Sequence, residues 1–297
     1  MRYLSELIEK AKEKGKKNLV VVGAEDEEAV EAASMAKKEG LIDRIFLVGN
    51  LEKIKKLDSL GDFELVDGRD ETESCEKGVR LVSSKKAGIL LKGLVKTSTL
   101  LKAVLNKDWG LRGSGLLTHL AAVEVPALDR VVFITDGGIV IRPSLEEKVK
   151  VINNAVDVLI KLGYKTPKVA LICAVETVTP SMPETMEAAI IAKMNQRGEI
   201  KGCVIDGPLG LDNALNLRAA EVKGIKSPVA GCADLLVVPD IHSGNFLGKS
   251  AIYFASGRIA GIVVGAKVPV VLVSRADTAE SKLLSIAMAC AVSEGES

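Results

Sequence analysis

Ser274 and Arg275 are the best candidate for chemistry in this chain, because they follow directly after the apolar run of residues 268–273. An arginine is permanently cationic, and its guanidinium binds a phosphate or an acyl phosphate through two parallel hydrogen bonds. A serine beside it can donate a hydrogen bond to a thioester carbonyl. These residue types therefore predict a site for phosphate and an acyl group at the end of a strand. The alternative interpretation is a surface arginine next to a helix N-cap serine.

A second polar group follows another apolar strand, residues 235–238. We predict that His242, Ser243, Gly244 and Asn245 form a turn that precedes a helix. In open α/β sheets, such a corner binds anions at the first backbone N–H groups of the helix. We expect Gly244 to allow positive φ and close backbone approach, and Ser243 and Asn245 to donate to an oxyanion. His242 is either a proton shuttle or a residue that caps the turn.

Thr97, Ser98 and Lys102 form a third group, after the predicted strand 87–91 and at the start of a helix. Exposed backbone N–H groups at a helix start favour phosphate, so we interpret this group as part of an anion pocket. A solvated helix face with a good N-cap is the alternative.

Asp206 begins a fourth segment, in which Gly207 and Pro208 predict a tight turn after a strand. The functional alternative is that Asp206 points into a cleft and orients a basic group. His119 lies near an apolar strand, and we interpret it as structural. The sequence contains no metal-ligand spacing, and its two histidines are far apart.

Composition limits the class of protein. The chain has 297 residues, which is enough for two domains, and its 47% hydrophobic but 3% aromatic content predicts an aliphatic core. Forty basic and thirty-nine acidic residues give a net charge of +1, which argues against nucleic-acid binding. Five scattered cysteines predict neither a disulfide framework nor a zinc site. Since there is no signal-peptide core and no apolar run near ~20 residues, we expect a soluble, cytoplasmic protein without a membrane partner.

Aliphatic runs alternate with helical patterns along the chain, which predicts βαβ architecture. Residues 120–125 and 131–135 form a predicted antiparallel pair, because their link is too short for a parallel crossover. Capping-box spacing predicts helix starts at Ser144 and Ser181. The other predicted strands are 19–22, 44–48, 87–91, 169–173, 202–205, 235–238, 261–264 and 268–273. The predicted helices include 26–38, 71–84, 99–106, 144–162 and 278–292.

Several of these motifs occur together in one known family. The segments 183–189, 206–209 and 234–275 resemble the phosphate acetyltransferase and phosphate butyryltransferase family, from about Thr177 nearly to the C-terminus. Residues 92–98 extend the resemblance into the first half of the chain. The short length and this last segment favour the butyryl branch.

The resemblance implies an α/β fold with two domains, whose largely parallel sheets flank an interdomain cleft as in isocitrate and isopropylmalate dehydrogenases. The first domain would comprise residues 1–120 and 275–297, and the second 121–274. The implied reaction is reversible transfer of a short acyl group between coenzyme A and inorganic phosphate, which gives acyl phosphate. Acyl-CoA and phosphate are then substrates, no cofactor or metal is needed, and a homo-oligomer is expected.

The family also implies residue roles. Ser274 and Arg275 match its catalytic pair, and Lys102 stands where acetyl-transferring relatives carry an arginine that holds substrate anions. Those relatives have an aspartate base where this chain has Ser281, so Glu280 is our candidate base. The alternatives are a phosphate acetyltransferase, a non-catalytic acyl-CoA-binding protein, and a decarboxylating dehydrogenase, for which the sequence lacks a G-x-G-x-x-G motif.

Overall fold

The chain divides into two compact units. The computed structural model describes residues 1–57, 61–113, 115–274 and 277–293. We call Leu4–Gly115 with Ile259–Ser297 the terminal unit, and Met1–Tyr3 with Leu116–Arg258 the central unit. The domain boundaries inferred from the sequence, after residues 120 and 274, stay a prediction beside this division.

Strands and helices alternate through both units. In chain order, the strands of the described residues are β1 (Lys17–Val22), β2 (Ile42–Gly49), β3 (Glu64–Asp67), β4 (Ile89–Lys92), β5 (Thr118–Glu124), β6 (Val132–Thr135), β7 (Lys168–Ile172), β8 (Val204–Leu209), β9 (Leu235–Val237), β10 (Arg258–Val264) and β11 (Val270–Val271). The helices are α1 (Glu6–Glu13), α2 (Glu27–Lys38), α3 (Leu51–Ile54), α4 (Glu71–Ser83), α5 (Thr97–Val104), α6 (Leu145–Lys161), α7 (Pro183–Gln196), α8 (Leu211–Leu215), α9 (Leu217–Val222), α10 (Ile241–Tyr253) and α11 (Ala279–Val292).

The terminal unit contains the strand order β3-β2-β1-β4-β11-β10. Neighbours from β3 to β11 are parallel, and β10 runs antiparallel to β11. The chain proceeds from β1 outwards to β3 and then restarts on the other side of β1 with β4, so the order reverses between β1 and β4. In open α/β sheets, ligands bind at the carboxyl ends of the strands beside such a reversal.

The central unit contains the order β5-β6-β9-β7-β8. Its neighbours are parallel except for β5 and β6, which pair antiparallel with Ala122 opposite Phe133, as the short link between them predicts. The carboxyl ends of β6 and β9 therefore meet at one edge of this sheet.

Both cores are aliphatic, as the composition predicts. The residues from Leu19 to Val22 on β1 are fully buried, as is Phe133 on β6. Each such side chain contributes roughly 1.5–3 kcal/mol when it is removed from water. Among the described residues, none of the helices combines the length and apolar character needed to cross a bilayer.

The start of α6 confirms one predicted capping box, and the start of α7 shows that the other was wrong. Ser144 Oγ accepts the backbone N–H of Glu147, whose carboxylate accepts the backbone N–H of Ser144. In contrast, α7 begins at Pro183, whose fixed φ suits the first helical position. Ser181 lies before this start, and its hydroxyl pairs with that of Thr179 at 2.9 Å.

Candidate functional site

Ser274 lies in the terminal unit, in the loop that follows β11. The strand ends at Val271, two residues earlier than predicted. The backbone N–H of Ser274 donates to Asp277 Oδ2 at 2.8 Å, and its carbonyl accepts the backbone N–H of Asp277 at 3.2 Å. These reciprocal bonds close a tight turn and leave the Ser274 side chain exposed. Arg275, the predicted phosphate ligand, lies outside the described residues.

Lys282 is a buried cation behind this turn. It is only 1% exposed, and its Nζ donates to the main-chain carbonyl of Asp277 at 2.5 Å. A buried ammonium is unfavourable unless it is hydrogen bonded, so this bond compensates part of the cost of burial. Asp277 is thus held through its carboxylate by Ser274 and through its carbonyl by Lys282. Sequence analysis missed Lys282, although a lysine that heads a run of apolar residues was a usable signal.

Lys92 is a second buried lysine, at the last position of β4. It is 5% exposed, and its Nζ donates to the carbonyls of Gly93 (3.0 Å) and Val95 (3.2 Å). Because β4 pairs in parallel with β11, the loops that the two lysines support lie at the carboxyl ends of adjacent strands. Two cations at one edge of the sheet raise the local potential, which favours a phosphate.

The group at α5 lies at this same edge, since α5 follows β4. The helix begins at Thr97, so Thr97 and Ser98 lie in its first turn and Lys102 in its last. Ser98 and Lys102 are four residues apart and therefore share a face, and both are exposed, whereas Thr97 is half-buried. The backbone N–H of Lys96 donates to Glu71 Oε1 at 3.0 Å, which fixes the start of the helix.

The predicted base Glu280 lies in the first turn of α11 and is exposed. Thr278 caps this helix, because its Oγ1 accepts the backbone N–H of Ser281 at 3.3 Å. The Ser281 hydroxyl lies 3.4 Å from the Thr278 hydroxyl, and its carbonyl accepts the Ser285 hydroxyl at 2.8 Å. Ser281 thus contributes to the helix start. The role of Glu280 stays a prediction.

In the central unit, residues 242–245 lie inside the first turn of α10, so the prediction of a separate turn is wrong. Asp240 causes the earlier helix start, because its Oδ1 accepts both the backbone N–H and the hydroxyl of Ser243, each at 2.9 Å. The hydrogen bond from the Ser243 backbone, with the one from its hydroxyl, lowers the pKa of Asp240. Both donors of Ser243 are therefore used within the cap.

Gly244 permits a close backbone approach but does not have the positive φ that we expected. A Cβ at Gly244 would lie 2.7 Å from the Cα of Gly137 and 2.8 Å from the carbonyl oxygen of Asp136. Asn245 Nδ2 donates to the Gly137 carbonyl at 3.3 Å. The loop after β6 and the start of α10 therefore pack backbone against backbone.

Asp136 holds that loop, and sequence analysis missed it. The residue is 4% exposed, and its Oδ2 accepts the backbone N–H of His119 at 2.7 Å. Its Oδ1 accepts the backbone N–H groups of Gly138 and Ile139, both at 2.8 Å. An aspartate followed by two glycines after a strand was a usable signal for such a loop.

Asp206 and His242 are less closely tied to these groups. Asp206 lies within β8, opposite Ala170 of β7, and not in a turn after the strand. Since β7 separates β8 from β9, Asp206 is roughly 10 Å from the strand that leads to α10. His242 is exposed, with its ring 6.2 Å from that of Phe246. The structure therefore does not bring Asp206 next to the first turn of α10.

The chain is similar to known transferases over almost its whole length. Residues 62–290 match the family described as "Phosphate acetyl/butaryl transferase". The chain is 47% identical over 294 residues to a probable phosphate butyryltransferase of Bacillus subtilis, with 98% of both chains covered. It is 42% identical over 291 residues to a phosphate acetyltransferase of Thermotoga maritima, with 96% of this chain and 98% of the relative covered. A branched-chain phosphotransacylase structure from Enterococcus faecalis matches with a TM-score of 0.84 at 33% identity, over 93% of this chain and 98% of that one.

Proposed function

Because the chain belongs to the phosphate acetyl/butyryl transferase family and is a phosphate acyltransferase, we propose that its acyl group is butyryl. The reaction then interconverts butyryl-CoA and inorganic phosphate with butyryl phosphate and coenzyme A. The observation that carries this choice is the 47% identity to the Bacillus subtilis butyryl relative, against 42% for the Thermotoga maritima acetyl relative. Each alignment covers 98% of the relative, so the two identities are comparable.

The proposed mechanism is direct transfer without a covalent enzyme intermediate. A phosphate oxygen attacks the thioester carbonyl carbon, and the new C–O bond places negative charge on the carbonyl oxygen. The C–S bond then breaks, its electron pair goes to sulfur, and the thiolate takes a proton. Arg275 binds the phosphate and Ser274 donates to the carbonyl oxygen. Donors that stabilise such an oxyanion typically contribute about 10²–10³ in rate.

The anion-binding groups of the terminal unit support these roles. Ser98 and Lys102 present a hydroxyl and an ammonium on one exposed face of α5, and Thr97 lies in the first turn of that helix. The buried Lys92 and Lys282 add positive charge at the same edge of the sheet. In the central unit, we assign the first turn of α10 to substrate binding, with Asn245 as its exposed donor.

Glu280 is our proposed base for the thiol of coenzyme A in the direction that forms acyl-CoA. Its exposed position in the first turn of α11 leaves the carboxylate accessible to a substrate. Glu280→Gln should lower kcat with coenzyme A and butyryl phosphate and abolish the rise in rate through the pKa of the base. An unchanged pH–rate profile would remove Glu280 from this role.

The experiment that tests the proposed function measures free thiol released from butyryl-CoA and from acetyl-CoA, with and without phosphate. Phosphate-dependent release that is faster from butyryl-CoA supports the proposal. Faster release from acetyl-CoA identifies a phosphate acetyltransferase. Binding of coenzyme A without any release would identify a non-catalytic acyl-CoA-binding protein, which the serine at position 281 favours.

We also propose that the protein is a homo-oligomer that associates through α7. Met182, Met186 and Ile190 are spaced four residues apart, and they are 37%, 42% and 46% exposed. Such a stripe of large apolar side chains on one helix face is typical of an interface. Met186→Glu should shift the mass measured by light scattering towards that of a monomer. A wild-type protein that is already monomeric at micromolar concentration would exclude this interface.

A further inference from the structure

A cavity of about 340 Å³ opens at the carboxyl ends of β1, β2, β3 and β4 in the terminal unit. Its walls include Gly23 and Glu25 after β1, Asn50 after β2, Asp70 after β3 and Val95 after β4. It therefore lies beside the reversal of strand order between β1 and β4, where open α/β sheets bind their ligands. Its volume is also in the range of small-molecule sites, roughly 300–1,000 Å³.

Two acidic residues of the cavity are committed to the local structure. Asp70 caps α4 by accepting the backbone N–H of Glu73 at 2.8 Å. Glu71 accepts the backbone N–H of Lys96 at 3.0 Å. Each carboxylate thus compensates a backbone dipole and holds a loop, which offsets part of its repulsion of an anionic ligand.

Glu25 is different, because its carboxylate is fixed over the last residue of β2. Its Oε1 accepts the backbone N–H of Asn50 at 2.6 Å. A Cβ at Gly49 would lie 2.6 Å from Oε2, so only glycine leaves room for the carboxylate there. In nucleotide-binding sheets with the same strand order, a carboxylate at the end of the second strand accepts a hydrogen bond from a ribose hydroxyl. Here the loop after β1 supplies that carboxylate.

Lys53 places a cation beside Glu25. Its backbone N–H donates to Asn50 Oδ1 at 3.1 Å, so Asn50 anchors both residues. Within the described part of the chain, the Lys53 ammonium has no hydrogen-bond or ion-pair partner, whereas the Arg69 guanidinium is held by Glu73 at 2.8 Å. Leu94 is 51% exposed and supplies apolar surface at the cavity wall.

We propose that this cavity, and not the α5 face, binds the 3′-phosphorylated adenosine of coenzyme A. The ribose 2′-hydroxyl donates to Glu25, the neighbouring 3′-phosphate pairs with Lys53, and the adenine lies against Leu94. A carboxylate next to a cation matches a hydroxyl next to a phosphate on one ribose. Adenine nucleotides with both hydroxyls free lack that match. The inference rests on the proposed function, since it takes coenzyme A as the substrate.

The test compares Lys53→Met with Lys56→Met. Lys56 lies three residues further on, is also exposed, and is not among the described residues that line the cavity. Lys53→Met should raise KM for butyryl-CoA about five- to tenfold at unchanged kcat, as expected for loss of one phosphate ion pair. KM for butyryl-dephospho-CoA should not change, and Lys56→Met should alter neither. An unchanged KM for butyryl-CoA, or equal rises for both substrates, would overturn the assignment.

Calorimetric binding of adenosine 3′,5′-bisphosphate separates this inference from the proposed function. If the wild-type protein releases no thiol but binds the bisphosphate in a Lys53-dependent manner, the cavity assignment holds and only the proposed function fails. If the protein turns over but Lys53→Met binds the bisphosphate as tightly as wild type does, the cavity assignment fails alone. Equal affinity for AMP and for the bisphosphate would assign the cavity to free nucleotides and overturn the inference.

Discussion

Lys282→Met should damage turnover far more than folding. Methionine is unbranched and of similar length, so it fills the same buried space while it removes the charge and the hydrogen-bond donor. The variant loses the 2.5 Å bond from Nζ to the carbonyl of Asp277. Asp277 in turn holds the backbone of Ser274 at 2.8 Å. The substitution therefore acts on the proposed catalytic serine through one intermediate residue, which makes Lys282 a positioning residue.

The expected magnitudes follow from these contacts. A hydrogen bond to a charged group contributes about 1.5–3 kcal/mol, but removing a buried ammonium also removes a desolvation penalty of several kcal/mol. These effects oppose each other, so we expect the free energy of unfolding to change by only about 1 kcal/mol in either direction. In contrast, a displacement of about 1 Å at a reacting group can cost about 10²-fold in rate. We expect kcat to fall by about that factor, with KM for butyryl-CoA little changed.

Thiol release and urea unfolding measure the two effects separately. Lys17→Met is the matched control, because Lys17 is 3% exposed in the same unit but begins β1, at the opposite edge of the sheet from Ser274. It should leave kcat unchanged whatever its effect on unfolding. A Lys282→Met enzyme with full turnover, or a Lys17→Met enzyme with the same loss of kcat, would refute the positioning role.

Three further predictions concern stability and reactivity. Gly244→Ala should lower the free energy of unfolding by about 1–3 kcal/mol in urea denaturation, because its Cβ would meet the backbone of Gly137 at 2.7 Å; an unchanged midpoint would contradict the contact. The pKa of Asp240 is lowered on folding, so its contribution to stability is present above the unfolded value of about 3.9 and is lost as pH falls through the folded value. Thermal unfolding from pH 7 to pH 3 should therefore show a smaller acid loss for Asp240→Asn than for wild type, and parallel curves would contradict this. Burial raises the pKa of Cys75 and Cys290 to about 12 each, so in the folded protein at pH 8 both should resist thiol-reactive dyes, which peptide mass spectrometry can check.

The fold could be predicted largely because its strands are local and aliphatic. The antiparallel pair β5 and β6 followed from the short link between them, and the start of α6 followed from one capping box. The edge strand β3 was missed because Glu64–Asp67 is partly exposed and lacks an aliphatic run. The predicted box at Ser181 failed because Pro183 fixes the start of α7. Spacing alone cannot show which of two local signals determines a helix start.

The candidate site could be predicted only in part, for a different physical reason. Ser274, Ser98 and Lys102 were found because polar residues at the ends of apolar runs are visible in the sequence. Lys282 and Asp136 act by holding main-chain atoms of other loops, and such bonds depend on tertiary contacts. A lysine in a sequence is assumed to be solvated, and only the structure shows that two of them lie buried behind adjacent strands.

That burial explains how a chain with a net charge of +1 can favour phosphate in one place. A surface lysine such as Lys102 is screened by salt within about 10 Å, whereas a buried ammonium is screened much less. Lys282 donates to a main-chain carbonyl, which stabilises the ammonium without cancelling its charge as a carboxylate would. Its field therefore persists at the carboxyl ends of β4 and β11. The same bond fixes the turn that carries Ser274, so one residue links the electrostatics of the proposed site to its geometry.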